Sequence, residues 1–150
     1  MKGKYIVLVS NNKLKYTLEI ERNVTVICGN SGTGKTTLIN LLENNQRYGT
    51  KSGISVQCSR KCVVLHNDNW ELMLENTHNS IVFIDEGNEF VRSKEFADSI
   101  SGSDNYYVII TRESLPQIPY SVDAVLELKK TSSRFKKTYN RTYPYSKLCF

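Results

Sequence analysis

Apolar residues fall in two kinds of short run along this chain. In "KLKYTLEI" they alternate with polar ones, "YIVLVS" is a nearly unbroken apolar run, and the polar "NNK" between the two suits a turn. That pattern predicts an N-terminal β-hairpin. In "VTVIC", "SIVFI" and "YYVII" the apolar residues are continuous, as in strands buried on both faces of a parallel sheet. "ISVQCS", "CVVLHN" and "VDAVLEL" add further strand candidates. Between them the spacing changes to helical. Leu38, Ile39, Leu41 and Leu42 share a face in a segment from Lys35 to about Asn44, "NWELMLENT" suits a short helix, and Phe90, Val91, Phe96 and Ile100 align along "NEFVRSKEFADSI". Strands alternating with helices predict an α/β domain with a mainly parallel central sheet.

Where the strand "VTVIC" meets the helix at Lys35, the sequence reads "GNSGTGKTT", residues 29–37. Three glycines in six positions stabilise neither a strand nor a helix. They do suit a loop whose successive backbone N–H groups wrap a phosphate chain, because a Cβ would obstruct the approach. Gly29, Gly34, Lys35 and Thr36 satisfy the G-x-x-x-x-G-K-[ST] pattern. On that reading Gly29, Asn30, Ser31, Gly32, Thr33, Gly34, Lys35, Thr36 and Thr37 bind nucleotide. The helix aims its positive end at the phosphates, Lys35 reaches the β- and γ-phosphates, and the Thr36 hydroxyl ligates Mg²⁺. About fifty residues later "IVFIDE" ends in Asp85 and Glu86. At the C-terminal edge of a central strand Asp85 serves as the second Mg²⁺ residue, and Glu86 as the base that polarises a water.

In these two motifs the chain resembles the P-loop NTPases, with "GNSGTGKTT" as Walker A and "IVFIDE" as Walker B with an adjacent catalytic glutamate. The glutamate points to the branch that holds the ABC ATPases, AAA+ proteins and recombinase-type motors, and "LEIERNVTVICGNSGTGKTTLINLL" looks most like the opening of an ABC-type ATPase, hairpin included. The resemblance implies a three-layer P-loop fold, ATP and Mg²⁺ as ligands, and ATP hydrolysis. "YYVIITRES" resembles the strand that ends in the ABC switch histidine, and here Thr111 and Arg112 hold that corner as catalytic candidates. Arg92 is a further candidate to sense γ-phosphate charge. Tyr5 and Tyr16, on the hairpin, are open to two readings, stacking on adenine or packing. No "LSGGQ"-like signature precedes "IVFIDE"; "HNDNWELMLENTHNS" stands there. A guanine motif of the "NKxD" type is missing as well, which leaves adenine as the expected base. Three function classes follow: an ATPase driving a conformational or assembly change in itself or a partner, a small-molecule or nucleotide kinase, and a nucleotide-dependent binding module with little turnover. Lid arginines are not evident, and the Asp-Glu pair suits water as the acceptor, so the ATPase is the preferred class.

Charge divides the chain. Seven of the 20 Lys and Arg, and none of the 15 Asp and Glu, lie from Lys129 onward, leaving 13 basic against 15 acidic residues in 1–128. The expected organisation is a nucleotide-binding core over 1–128 and a basic strand or tail over 129–150, leading either to the end of the chain or to a further domain. In the tail, Phe135, Tyr139, Tyr143, Tyr145 and Phe150 interleave with the cations. Such a mixture suits nucleic acid, with cations for phosphates and rings for unstacked bases; a lysine-guarded edge strand whose aromatics pack on the domain or on a partner is the other reading. Self-association or a partner protein completing the nucleotide site is also expected. No apolar run approaches the ~20 residues that a membrane-crossing helix needs, and no secretory pattern opens the chain. A cytoplasmic protein with Cys28, Cys58, Cys62 and Cys149 as reduced thiols is therefore expected.

Overall fold

The computed structural model describes residues 4–28, 34–85, 87–111, 115, 116, 118, 124–134 and 137–145. Nine strands and three helices occur among them: β1 Tyr5–Ser10, β2 Leu14–Ile20, β3 Val24–Cys28, α1 Lys35–Tyr48, β4 Ser55–Gln57, β5 Lys61–Val64, α2 Trp70–Glu75, β6 Ser80–Ile84, α3 Lys94–Ile100, β7 Tyr106–Ile110, β8 Val125–Arg134 and β9 Lys137–Pro144. The predicted hairpin is β1–β2, paired antiparallel from Tyr5↔Ile20 to Ser10↔Lys15. Its turn is closed by the Asn11 carboxamide oxygen, which accepts from the backbone N–H of Lys13 and Leu14 at 2.8 and 2.7 Å. The long segment expected around Phe96 divides in two. A 3-10 turn spans Glu89–Arg92, and Ser93 then caps α3, its hydroxyl accepting from Phe96 N–H at 3.1 Å.

All nine strands join one sheet in the order β4-β1-β2-β9-β8-β3-β7-β6-β5. The pairs β3–β7, β7–β6, β6–β5, β3–β8 and β2–β9 are parallel; β1–β2, β1–β4 and β8–β9 are antiparallel. The sheet is thus mixed rather than mainly parallel throughout: β8-β3-β7-β6-β5 is a continuous parallel portion that reaches one edge, and β4-β1-β2 at the other edge is antiparallel. Besides the N-terminal pairs β1–β2 and β1–β4, the antiparallel content comes from the C-terminal end of the described chain, where β8 and β9 form an antiparallel pair that inserts between β3 and β2. β8 runs through positions 128 and 129 without a break.

β4 and β5 sit at opposite edges of the sheet although only residues 58–60 separate them. Four residue steps reach about 14 Å at most, whereas nine flat strands would span roughly 38 Å. The sheet must therefore curl, bringing its edges together. α1 fills the concave side, packing Leu38, Ile39, Leu41 and Leu42 with Val7, Val9, Tyr16, Leu18, Ile27, Val108 and Leu128. Across the closing gap, Tyr5 on β1 meets Tyr106 on β7 edge to face at 4.9 Å. Arg60, from the β4–β5 link, lies over both rings at 4.9 and 5.0 Å, donates to the Tyr5 hydroxyl (2.9 Å) and to the Asp104 carbonyl (2.8 Å), and so clasps the seam. On the convex side, α2, the 3-10 turn and α3 cover only the β3-β7-β6-β5 portion, through a cluster holding Leu74, Phe90, Phe96, Tyr107 and Ile109. Trp70 stacks on Phe90 at 5.1 Å and meets Phe96 edge-on at 5.7 Å.

Cys58 and Cys62 are free. Cys28, expected as a reduced thiol, is disulfide-bonded. No helix among the described residues is long and apolar enough to cross a membrane.

Candidate functional site

β3, β7 and β6 are adjacent and parallel, so their C-terminal ends lie on one edge of the sheet. Open α/β sheets bind ligands in the crevice beyond that edge. β3 ends at Cys28, just before the glycine-rich loop, and α1 starts from that loop at Lys35. Asp85 directly follows β6 and Thr111 directly follows β7. The chain therefore delivers Lys35, Asp85 and Thr111 to a common edge from three different elements. Gly29, Asn30, Ser31, Gly32, Thr33, Glu86 and Arg112 lie outside the described residues.

Gly34, the residue before α1, holds φ 92 and ψ 7. That left-handed conformation is easy for glycine and strained for residues with a Cβ. Its carbonyl accepts two hydrogen bonds, from Leu38 N–H at 3.0 Å and from the Tyr16 hydroxyl at 3.1 Å. A trans peptide carries its N–H antiparallel to its C=O. With the Gly34 carbonyl fixed along the helix, the N–H of Lys35 points the opposite way, out of the helix N-terminus. Lys35 itself is buried at 4 % exposure, whereas Thr36 and Thr37 in the first turn are exposed. A lysine at the positive end of a helix is unfavourably placed by itself; a polyphosphate there reverses the sign of that interaction.

Asp85 is half-buried, and its carbonyl accepts from the Asn88 carboxamide at 2.9 Å, closing a turn in which Gly87 takes φ 93. Thr111 is buried, and its N–H donates to the Ile27 carbonyl at 3.2 Å, locking the end of β7 to the end of β3. Arg92 lies in the 3-10 turn that follows β6. The oxygen donors of Thr36 and Asp85 are of the hard type that Mg²⁺ takes, so the residues at this edge suit that ion.

Tyr16 and Tyr5 resolve toward packing. Tyr16 is buried at 1 % exposure with its hydroxyl on Gly34, and burial pushes its phenol pKa up. Tyr5 is spent on Tyr106 and Arg60. The support that Tyr16 gives the loop is a role that the motif alone does not disclose. Its signal is the period of β2: Tyr16, Leu18 and Ile20 alternate inward, which turns Tyr16 toward α1.

A family model described as "ATPase family associated with various cellular activities (AAA)" matches residues 25–111, more than half of the 150-residue chain. Comparison with curated proteins and with solved structures gives no match. The matched span opens in β3 and closes at Thr111, and so takes in the loop, α1, β6 and β7. The chain belongs to the AAA family of P-loop nucleotide-binding ATPases.

Proposed function

We propose that the protein hydrolyses ATP in a Mg²⁺-dependent manner and uses the cycle to change its own conformation or assembly, or that of a partner protein completing the site. One observation carries this reading: Lys35 at the start of α1, Asp85 after β6 and Thr111 after β7 lie at the C-terminal edge of the parallel strands, and the sequence puts the glycine-rich run before Lys35 and Glu86 after Asp85. Residues 29–37 would cradle the phosphates through backbone N–H groups, with Lys35 neutralising the β- and γ-phosphate charge. Thr36 and Asp85 would hold Mg²⁺, which draws charge from the phosphate oxygens and orients them. Glu86 would take a proton from the water that attacks the γ-phosphorus, and Arg112 and Thr111 would answer the charge that develops on the leaving phosphate. Adenine is the preferred base because no guanine-reading motif is present. The test is release of inorganic phosphate from Mg·ATP by the intact chain, with Lys35→Ala and Glu86→Gln alongside. Turnover lost in both variants supports the assignment; turnover at the wild-type rate in Glu86→Gln refutes it.

A further inference from the structure

We propose that the convex face of β2, β9 and β8 is a binding surface for single-stranded nucleic acid, separate from the nucleotide site. The case starts from which way β9 faces. Its register against β2 pairs Tyr16 with Asn140, and Leu14 with Thr138. Because Tyr16 points into the α1 core, so do Thr138, Asn140 and Thr142, and the last two are buried at 8 % and 6 % exposure. The opposite face of the strand therefore presents Lys137, Tyr139, Arg141 and Tyr143, a cation and a ring in alternation. A strand serving only the core would place its tyrosines inward and its threonines outward. Here the buried side is polar and hydrogen-bonded, with the Thr142 hydroxyl accepting from Glu19 N–H at 3.1 Å. The rings are left at the surface, Tyr143 at 37 % exposure.

The neighbouring strands extend the same pattern. Register places Arg134 beside Lys137, Ser132 beside Tyr139 and Lys129 beside Arg141 on one side, with Lys15 and Thr17 on the other. Lys15, Lys129, Arg134, Lys137 and Arg141 make five cations on this face, against two carboxylates, Glu19 and Glu127. The carboxylates are engaged. Glu19 pairs with Arg141 and with Lys4 (3.4 Å), and Glu127 with Lys129 (2.7 Å). The hydrogen bond from Arg141 holds the Glu19 carboxyl below the usual carboxylate range. A shallow hollow of about 350 Å³ lies between the strands, lined by Thr17, Arg134, Tyr139, Arg141 and Tyr143 among others.

None of the described helices covers this half of the convex face. Tyr139 and Tyr143 stand four residues apart on one face, about 13 Å along the strand, which suits bases that are unstacked and separated by intervening nucleotides. Hydroxyls and cations between them match phosphate and sugar, and a duplex would withhold the base faces that the rings need. Charge complementarity thus selects a polyanion, and the rings select its single-stranded form.

The test is fluorescence anisotropy of the intact chain with a labelled 20-nucleotide oligothymidylate and a labelled duplex of equal length, at about 50 and 200 mM salt. We expect the single strand to bind more tightly than the duplex, with a steep loss of affinity over that salt range. Tyr143→Thr, at an exposed strand position, should weaken binding roughly 5- to 100-fold with the salt slope unchanged, as expected for one lost stacking contact. Lys129→Ser with Arg134→Ser should flatten the slope by about 0.7 per phosphate contact removed. Lys35→Ala should bind the oligonucleotide like the wild type, which separates failure here from failure of the ATPase reading. Absence of binding at 50 mM, preference for the duplex, or unchanged affinity in both folded variants overturns the proposal.

Discussion

Replacing Gly34 by alanine tests the link between the hairpin and the nucleotide-binding loop most directly. An ideal Cβ on Gly34 lies 3.0 Å from the Tyr16 hydroxyl oxygen but 3.8 Å from the ring carbons Cε2 and Cζ. The variant carries two separate costs. Holding an L-residue at φ 92 costs about 1–2 kcal/mol. Relieving the 3.0 Å contact displaces the Tyr16 hydroxyl and forfeits its hydrogen bond to the Gly34 carbonyl, worth about 1 kcal/mol. Gly34→Ala should therefore lose about 2–3 kcal/mol. Tyr16→Phe removes the same hydrogen bond and leaves the Gly34 carbonyl its partner in Leu38 N–H, so it should lose about 1 kcal/mol. In the double variant the new methyl meets only ring carbons at 3.8 Å, an ordinary van der Waals distance. The hydrogen bond is then lost once rather than twice, and the double variant should match Gly34→Ala alone, falling short of the summed single losses by about 1 kcal/mol. Urea unfolding at 25 °C, followed by far-UV circular dichroism with m-values compared, measures the cycle. Losses that add within about 0.3–0.5 kcal/mol, the usual margin for uncoupled sites, would refute the contact. Because the same carbonyl sets the direction of the Lys35 N–H, Mg·ATP affinity should fall in both single variants, measured by calorimetry.

Five further outcomes are expected. Lys35→Ala should abolish Mg·ATP binding by calorimetry, since it removes the cation at the loop. Glu86→Gln should bind Mg·ATP and slow phosphate release by about 10²–10⁴, while Asp85→Asn should weaken the Mg²⁺ dependence of binding. Phe96→Ala, at a side chain of 0 % exposure between Trp70, Phe90 and Tyr107, should cost about 3–5 kcal/mol in urea unfolding. Burial, with the Cys58 thiol beside it, pushes the Cys62 thiol up to about 12. That contribution to stability is complete below pH 9 and is lost as pH rises toward 12, because the unfolded chain gives up the proton first; the slope reaches about 1.4 kcal/mol per pH unit. Cys62→Ala should remove this part of the slope between pH 9 and 10.5, measured against wild type.

The sequence alone determined the elements around the nucleotide loop, because local chemistry decides them. Continuous apolar runs made β3, β6 and β7 buried parallel strands, and the glycine-rich sequence between a strand and a helix marked the chain as a P-loop NTPase. An apolar run in β1, alternation in β2 and asparagine in the turn between them marked the hairpin. The break at Ser93 was also local, a cap inside an otherwise helical apolar pattern, although apolar spacing by itself does not show it. Tertiary structure alone decided the order of the strands. That β4 closes one edge depends on pairings more than forty positions apart, such as Val9 with Val56, and that β9 enters between β2 and β8 depends on pairings more than a hundred positions apart, such as Lys15 with Tyr139. No local preference encodes such a partner, since every strand edge offers the same N–H and C=O groups. The roles of the tyrosines followed from that order. Tyr16 turned inward to hold the Gly34 carbonyl, while Tyr139 and Tyr143 turned outward beside the cations, because a register shift of one residue exchanges the two faces of a strand.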